Sequence, residues 1–324
     1  MYRMVVRELG GPASLEREEL AAVPADPGQV VIDVRATGCN FFDILITQGK
    51  YQVRPELPFS PGAEVAGTVR EVGEGVRRFS AGDRVSALLE HGGFASTLAS
   101  PQERVFPMPP EMTFEEAAAS GLVYQTSYVG LIHRANLRKG ETLLVHAAAG
   151  GVGLAAVQIG VAHGARVIGT AGTPEKLALV KQNGADVVIN YRDQDWVERV
   201  KELTNGRGAD VIYDPVGGDT FDLSTKCIAF EGRILVIGFA SGRIPSAKMN
   251  RVLVKNFSLV GLHWGLYFEK NPKVLQDAQE ALSRLYSAGK IAPLVSATYP
   301  LAEAKTALDA LGSRKTTGKV VLIP

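Results

Sequence analysis

The chain has 324 residues, of which 46% are hydrophobic and 21% are charged, and its 35 basic and 34 acidic residues leave a formal net charge of +1. A chain of this length usually fills two domains, and this composition is typical of an ordinary folded protein rather than a disordered one. The near-neutral charge, without a long run of one sign, argues against nucleic acid or an anionic membrane surface as a main partner.

The sequence contains two cysteines, Cys39 and Cys227. Two isolated cysteines in a chain of this size argue against a disulfide framework and for a reducing compartment. The first residues also lack the apolar segment and small-residue cleavage site that are typical of a signal peptide. We therefore expect a cytoplasmic protein.

The amino-terminal third of the chain predicts short strands separated by close turns. The clearest of them are VVIDVRATG at 30–38, EVAGTVREVG at 64–73 and DRVSALL at 83–89. Strands at this spacing suit an antiparallel, barrel-like domain better than a series of βαβ units.

An almost uncharged stretch at 142–165 could be mistaken for a membrane span, but glycines interrupt it. TLLVH at 142–146 predicts a strand, LAAVQIGVAHG at 154–164 a helix, and ARVIGT at 165–170 a second strand. A spanning helix needs about 20 apolar residues without such a break. Strand, glycine turn, helix and strand form a βαβ unit, so we expect no insertion into a membrane.

The turn of this unit is similar to the dinucleotide-binding pattern G-x-G-x-x-G, with Ala148, Gly150 and Gly153 at its three key positions. The middle glycine lets the backbone approach a pyrophosphate, and the last lets helix and strand pack closely. N–H groups at the start of the helix would meet the pyrophosphate charge. Ala148 departs from the pattern, and a βαβ turn that binds no ligand is the alternative.

The end of the second strand indicates which dinucleotide is bound. NAD sites usually place Asp or Glu there to accept hydrogen bonds from the ribose. This strand has no carboxylate until Glu175, and Lys176 follows at once. The pattern favours NADPH over NADH because an ammonium group can balance a 2′-phosphate, although Lys176 alone could be a solvated helix residue.

The rest of the chain continues the alternation of helices and strands. Strands are predicted at 186–191, 210–218, 233–242 and 257–262, and helices at 174–184, 193–206 and 219–230. Alternation from about 126 to 265 predicts a doubly wound parallel sheet, with ligand groups at the carboxyl ends of its strands. Helices at 271–289 and 301–313 and a strand at 318–324 would complete the first domain. The predicted domains are therefore 1–125 plus 266–324, and an inserted domain at 126–265.

The motifs resemble those of the medium-chain dehydrogenase/reductases, specifically the zinc-free NADPH:quinone oxidoreductases related to zeta-crystallin. The resemblance covers essentially the whole chain and is carried by NFFD (40–43), PFSPGAEVAGTV (58–69), VYQTSY (123–128), VHAAAGGVG (145–153), DVVINY (186–191) and KVVL (319–322). It implies an α/β fold in which a Rossmann-type doubly wound parallel sheet is inserted into a GroES-like β-barrel catalytic domain. It also implies a homodimer.

The zinc-dependent branch of this family carries a metal-binding Cys three residues before an Asp, and a Gly-His-Glu triplet further along the chain. Here those positions hold Asn40, ahead of Asp43, and Ala63. An amide and a methyl group cannot replace a thiolate and an imidazole as zinc ligands. The adjacent Cys39 points to the opposite side of an extended chain, so we expect no bound metal.

The resemblance also implies roles for individual residues. It places Gly150, Gly151 and Val152 at the pyrophosphate, Gly172, Lys176 and Tyr191 around the 2′-phosphate, Phe239 and Ala240 along the nicotinamide ribose, Thr126 near the nicotinamide ring, and Asn40 and Tyr51 in the substrate cleft. Tyr191 could instead close a strand against the core. Asn40 and Asp43 could instead be turn and capping residues.

The function implied is hydride transfer from NADPH to a quinone or a similar conjugated carbonyl compound, without zinc. A quinone delocalises the resulting charge, and Asn40 could donate a hydrogen bond to the acceptor oxygen. The segment 40–51 is also similar to the Asn-x-x-Asp…Gln-Gly-x-Tyr pattern of 2-enoyl thioester reductases, in which Tyr51 would lie near the carbon that receives a proton. A non-catalytic NADPH-binding scaffold or sensor is the third alternative.

Overall fold

The structure is a computed structural model that describes residues 1–52, 54–313 and 315–324. The chain divides into two compact units, of which one combines Met1–Leu122 with Pro293–Pro324 and the other is Val123–Ala292. We call the first the terminal unit and the second the central unit. Within the described residues, no helix is both long enough and apolar enough to cross a membrane.

Strands predominate in the amino-terminal third of the chain and alternate with helices in the central unit, as the sequence predicts. The strands are β1 (Tyr2–Val6), β2 (Leu15–Glu19), β3 (Gln29–Cys39), β4 (Glu64–Val72), β5 (Arg84–Leu88), β6 (Thr97–Pro101), β7 (Val105–Pro107), β8 (Thr142–Val145), β9 (Arg166–Ala171), β10 (Val187–Asn190), β11 (Ala209–Asp214), β12 (Ile228–Val236), β13 (Ser258–Gly261), β14 (Val295–Pro300) and β15 (Lys319–Ile323). The helices are α1 (Phe41–Thr47), α2 (Phe114–Tyr128), α3 (Gly151–Ala162), α4 (Pro174–Gln182), α5 (Trp196–Leu203), α6 (Gly218–Cys227), α7 (Met249–Lys255), α8 (Tyr267–Lys270), α9 (Pro272–Ser287) and α10 (Ala304–Gly312).

The terminal unit is built around a mainly antiparallel sheet in the order β14-β15-β3-β4-β5-β7, with β6 also paired to β3. The pair β14 and β15 is parallel, whereas the pairs that join β15, β3, β4 and β5 are antiparallel. Alternate residues of β3, namely Val30, Ile32 and Val34, are buried in one apolar cluster, as expected for a strand that covers a core with one face. The GroES-like domain predicted for this part of the chain is confirmed.

The central unit contains a parallel sheet in the order β10-β9-β8-β11-β12-β13. Neighbouring residues of β8 enter opposite apolar clusters, since Leu143 and Val145 belong to one cluster and Leu144 to the other. A sheet covered by helices on both faces needs apolar residues at successive positions, which explains the continuous run TLLV. This is the predicted doubly wound Rossmann-type sheet.

The carboxy-terminal domain boundary lies further along the chain than the sequence predicts. Helix α9 was expected in the first domain, but the central unit extends to Ala292. The reason is that Leu282 of this helix and the following Ile291 are buried in the same cluster as the strands of the central unit. An amphipathic pattern predicts that one face of a helix is buried, but it does not identify the domain that buries it.

Helices α7 and α8 of the central unit were not predicted from the sequence, and α7 shows why. Helix α7 is short, and Met249, Leu253 and Val254 in it are largely exposed. The apolar residues of this helix therefore do not form the buried stripe on which the sequence prediction depended.

Candidate functional site

The glycine turn of the central unit has the tight geometry that the dinucleotide-binding pattern requires. Helix α3 begins at Gly151, and a β-carbon on Gly153 would lie 2.3 Å from the carbonyl oxygen of Ala147. Only glycine fits at this last position of the pattern, because the obstacle is backbone. Ala148, at the first position, is fully buried, and its amide donates to the carbonyl of Thr170 at 3.0 Å.

The start of α3 brings three predicted residues together. Gly150 is exposed, and Gly151 and Val152 are half-buried. The first amides of an α-helix have no partner within the helix and carry its positive end, so they can bind an anion. Hydrogen bonds fix the first turn of α3. The hydroxyl of Ser127 donates to the carbonyl of Val152 at 3.1 Å and lies 2.8 Å from the hydroxyl of Tyr213. Thr126, the residue before Ser127, is half-buried in α2.

A second group of predicted residues lies where β9 ends. A β-carbon on Gly172 would lie 2.6 Å from the hydroxyl oxygen of Tyr191 and 3.1 Å from Nε of Arg192. Lys176 is in the first turn of α4, and its amide donates to the capping hydroxyl of Thr173 at 3.4 Å. We call Gly172, Lys176, Tyr191 and Arg192 the phosphate corner.

Two findings at the phosphate corner go beyond the sequence prediction. The ring of Tyr191 is about half exposed, at 48%, so the alternative that it closes a strand against the core is wrong. The sequence prediction did not include Arg192. This residue directly follows Tyr191 and carries the positive charge that a 2′-phosphate site requires. Its amide donates to the side chain of Asn190 at 3.1 Å, which helps to hold this turn.

Phe239 and Ala240 lie in the loop that follows β12. The amide of Ala240 donates to the carbonyl of Pro215 at 3.1 Å, and a β-carbon on Gly217 would lie 2.9 Å from the ring of Phe239. The loop after β11 is itself fixed by the carboxylate of Asp214, which accepts from two following amides. Two loops at the carboxyl ends of neighbouring strands are thus joined, which is the expected place for ligand groups.

In the terminal unit, Asn40 is the N-cap residue of α1, and the carboxyl of Asp43 in the first turn caps its backbone amide. The amide of Asn40 donates to Asp43 at 2.7 Å, and the same carboxyl accepts from the amide of Gly62 at 2.9 Å. The capping alternative for Asn40 and Asp43 is therefore confirmed. Asp43 is fully buried, and burial raises the pKa of its carboxyl to about 7, against the opposing effect of the two backbone hydrogen bonds.

The side chain of Asn40 takes part in a network that the sequence prediction did not contain. Its Nδ2 donates to Oε1 of Glu64 at 2.8 Å, and its Oδ1 accepts from the ammonium of Lys319 at 2.6 Å. Lys319 also donates to Glu64 at 2.6 Å and to the carbonyl of Cys39 at 2.7 Å. We call Asn40, Asp43, Glu64 and Lys319 the buried polar cluster, since each is less than 10% exposed.

Tyr51 lies beyond the carboxyl end of α1 and is half-buried. Its ring meets that of Phe42 edge-on, with centroids 4.6 Å apart, and burial raises the pKa of its phenol above the ordinary value of 10.0. The hydroxyl therefore keeps its proton at neutral pH and can act as a hydrogen-bond donor.

The residues of the terminal unit do not fit a zinc ion. The two positions where the zinc-dependent branch has ligands hold Asn40 and Ala63, and the Asn40 oxygen already accepts from an ammonium group. A second cation beside Lys319 would be repelled. Residues 1–52, 54–313 and 315–324 also contain no group of three or more His, Cys, Asp or Glu side chains arranged to hold a metal.

Comparison with known proteins agrees with this architecture. The alcohol dehydrogenase GroES-like domain model matches residues 26–110, and the zinc-binding dehydrogenase model matches residues 151–280. Quinone oxidoreductase-like protein 2 homolog of Nematostella vectensis is 43% identical, over 99% of this chain and 88% of the relative. The crystal structure of Escherichia coli quinone oxidoreductase complexed with NADPH is 36% identical over 100% of both chains, with a TM-score of 0.92. The chain belongs to the quinone oxidoreductase family of the medium-chain dehydrogenase/reductases.

As a member of the quinone oxidoreductase family, the chain is an oxidoreductase. The family nevertheless has structural neighbours with other activities. The crystal structure of CurK enoyl reductase is 29% identical to this chain, covers 99% of it and 98% of its own length, and has a TM-score of 0.91. Proteins with this fold therefore differ in substrate, and the substrate of this chain has to be inferred from the side chains of its candidate site.

Proposed function

We propose that this chain is an NADPH-dependent, zinc-independent reductase of quinones or similar conjugated carbonyl compounds. NADPH would supply the hydride, and the protein would bind, orient and stabilise the reactants. The observation that carries the cofactor assignment is the phosphate corner, in which the hydroxyl of Tyr191 and the guanidinium of Arg192 lie beside Gly172 after β9, and Lys176 follows in the first turn of α4.

The phosphate corner favours a phosphorylated ribose for two reasons. First, Ala171, Gly172 and Thr173 offer no carboxylate that would repel a 2′-phosphate. Second, Lys176 and Arg192 can donate charge-assisted hydrogen bonds, which are stronger than neutral ones. That NADPH complexes of family members have been solved also supports the assignment.

The cofactor assignment is tested by removing each cation separately. We expect Lys176→Ala and Arg192→Ala each to raise the Kd of NADPH about tenfold or more, because a hydrogen bond to a charged group contributes roughly 1.5–3 kcal/mol. The Kd of NADH should change less than about twofold, since no phosphate is lost. Lys181→Ala, at an exposed lysine of the same helix, is the matched control, and both constants can be measured by the quenching of protein fluorescence. Equal losses for NADPH and NADH would remove these residues from a phosphate site.

A quinone suits the terminal unit as acceptor because the unit offers hydrogen-bond donors rather than a metal. The phenol of Tyr51 is protonated at neutral pH and would donate to an acceptor oxygen or supply a proton. Asn40 remains our second candidate, although its amide nitrogen already donates to Glu64 and, at 3.4 Å, to the carbonyl of Gly38. A quinone needs less electrophilic assistance than an aldehyde, since its negative charge is delocalised over the ring.

The acceptor class is decided by following NADPH oxidation with 1,4-benzoquinone, 9,10-phenanthrenequinone and crotonyl-CoA. We expect turnover with the quinones. Turnover with crotonyl-CoA alone would favour a 2-enoyl thioester reductase, the alternative that the CurK likeness and Tyr51 support. No turnover with any acceptor, together with tight NADPH binding, would favour a non-catalytic scaffold or sensor.

We also propose that the protein is a homodimer that pairs through the central unit. Strand β13 is at the edge of the sheet, and the side chains of Phe230, Met249, Leu253 and Val254 are 66–76% exposed. An open strand edge and an apolar surface in one unit are typical of an interface.

We further propose a cytoplasmic location. Both cysteines are buried and free, which agrees with a reducing compartment.

Sedimentation tests the dimer. We expect the protein to sediment at twice the chain mass of 34.6 kDa, and Leu253→Glu to sediment as the monomer. Leu9→Glu, a half-exposed position in the terminal unit, should remain dimeric as the control. A monomeric parent protein would refute the proposal.

A further inference from the structure

The buried polar cluster contains two opposite charges for which the proposed function has no use. Lys319 is 4% exposed and Glu64 is 1% exposed, and they approach to 2.6 Å. A buried ammonium or carboxylate is costly unless it is paired and fully hydrogen-bonded. Because desolvating both charges costs free energy, we looked for a role of the ammonium in the geometry of its neighbours.

Every hydrogen of the ammonium has an acceptor. Lys319 donates to the carbonyl of Cys39 at 2.7 Å, to the side-chain oxygen of Asn40 at 2.6 Å and to Glu64 at 2.6 Å. The second carboxylate oxygen of Glu64 accepts from the amide of Leu122 at 2.7 Å. The pair is thus satisfied in one specific geometry and joins the start of β15 to the start of β4 and the end of β3.

Lys319 determines which way the amide of Asn40 faces. Because an ammonium only donates, the oxygen of Asn40 must turn toward it, and Nδ2 must turn toward Glu64. The reversed amide would place two donor groups against each other. The carboxylate of Glu64 only accepts and favours the same orientation, so both orientations of the amide become open when the two charges are removed together.

The backbone beside the cluster is closely packed at Gly38. A β-carbon on Gly38 would lie 2.1 Å from the carbonyl oxygen of Ala118 and 2.6 Å from Glu64. Asn40 is also the cap of α1, and Phe42 in the first turn of that helix contacts the ring of Tyr51. Lys319, Asn40, the first turn of α1 and Tyr51 are therefore connected by successive contacts.

We propose that Lys319 is a positioning residue for the reaction, and that it acts by fixing the amide of Asn40 and the first turn of α1 in one orientation. The proposal rests on the proposed function, because it assigns the purpose of this orientation to hydride transfer. Lys319 does not touch the reactants in this role. It sets the geometry of the residues expected to do so.

The decisive variant is the neutral pair Glu64→Gln with Lys319→Met, which leaves no uncompensated charge. We expect it to fold with nearly the urea midpoint of the parent and to bind NADPH within about twofold, because the phosphate corner is in the other unit. Its kcat with 1,4-benzoquinone should fall about tenfold to a hundredfold with little change in KM, since misplaced groups lose transition-state contacts. Lys305→Met, at an exposed lysine of α10, should leave both unchanged. If the neutral pair keeps kcat within about threefold, Lys319 is only a structural residue and the proposal is wrong.

A second measurement does not depend on turnover. The side-chain amide of Asn40, assigned by the loss of its ¹⁵N signal in Asn40→Asp, should exchange slowly with solvent in the parent protein and rapidly in the neutral pair. Unchanged exchange would overturn the proposal even if kcat falls. If the parent protein reduces no acceptor, the proposed function fails, but this exchange experiment still decides whether Lys319 orients the amide.

Discussion

The buried polar cluster of the terminal unit and the phosphate corner of the central unit both contain cations to which we assign a role, but the two cations differ in exposure and in hydrogen-bond partners. Lys319 is enclosed and has protein acceptors for all its hydrogens. Arg192 is exposed and lies beside Tyr191, itself about half exposed at the surface. The first cation is committed to the protein, and the second is available to a ligand.

Because of this difference in exposure, we expect the buried cation to affect the stability of the protein and the exposed cation to affect the affinity for the cofactor. An enclosed ion pair whose partners hold each other must be kept whole, because removing one member leaves the other charged and buried. Exposed side chains around a glycine can move or be replaced at little cost to the fold. Mutations in the first region should therefore affect unfolding, and mutations in the second should affect affinity.

The largest expected effect is that of Glu64→Leu on stability. Removing this carboxylate leaves the ammonium of Lys319 without its charge partner, and we expect a loss of about 3–5 kcal/mol in the free energy of unfolding. The control is Glu202→Leu, which breaks the exposed pair with Arg199 and should cost under about 1 kcal/mol. Urea unfolding of both variants measures the difference. Similar losses at the two sites would show that burial does not distinguish the pairs.

A smaller effect is expected when the glycines of the two regions are compared. The β-carbon of Gly38→Ala would meet the backbone carbonyl of Ala118, which cannot move, so we expect a loss of about 1–3 kcal/mol. The β-carbon of Gly172→Ala would meet the hydroxyl of Tyr191, at the far end of a half-exposed side chain. This variant should keep the parent's unfolding midpoint but bind NADPH more weakly. A strongly destabilised Gly172→Ala protein would show that the phosphate corner is as rigid as the cluster.

The most gradual expected effect is a dependence of stability on pH, with opposite signs in the two units. The Asp43 carboxyl has a pKa of about 7 because burial raises it from 3.8, so the unfolded chain loses this proton first. The contribution of Asp43 to stability is full below about pH 4 and declines toward pH 7. The pKa of His146, buried in the central unit, is lowered by burial from 6.5 to about 3, so its contribution is full above about pH 6.5 and declines as the pH falls.

The two slopes are separated by comparing the parent protein with Asp43→Asn and His146→Gln between pH 4 and 6.5. Relative to Asp43→Asn, the parent should lose stability as the pH rises, and relative to His146→Gln it should lose stability as the pH falls. Neither slope can exceed about 1.4 kcal/mol per pH unit, the limit for one proton. Slopes of the same sign would mean that one of the two groups is not neutral in the folded protein at these pH values.

The sequence predicts the elements of the central unit well because each of them has a local signal. A short apolar run predicts β8, glycine marks the turn, and the residues after Gly151 predict α3. The same signals place Gly172 and Tyr191 at the ends of two strands and Lys176 in the helix after Gly172, while their grouping is implied by the family resemblance; the structure brings Gly172 and Tyr191 close together. The predicted roles of these residues in binding stay predictions until the cofactor is bound.

The buried polar cluster could not be predicted in the same way, because its members are far apart in the sequence. Lys319 and Glu64 are separated by 255 positions, and no periodic pattern connects them. Lys319 is the first residue of the motif KVVL and places a charge in an otherwise apolar strand. A lysine within a buried strand is rare and is usually paired with an acidic side chain. The position of Lys319 therefore predicts a buried carboxylate nearby, although not that it is Glu64.

The composition of the terminal unit from both ends of the chain has a consequence for its biosynthesis. Residues 123–292 leave the ribosome before β15, so the central unit can fold while the terminal unit still lacks Lys319. Until that lysine arrives, the carboxylate of Glu64 has no countercharge and keeps its solvent. The nascent chain can therefore complete the core of its central unit before the terminal unit has all of its strands.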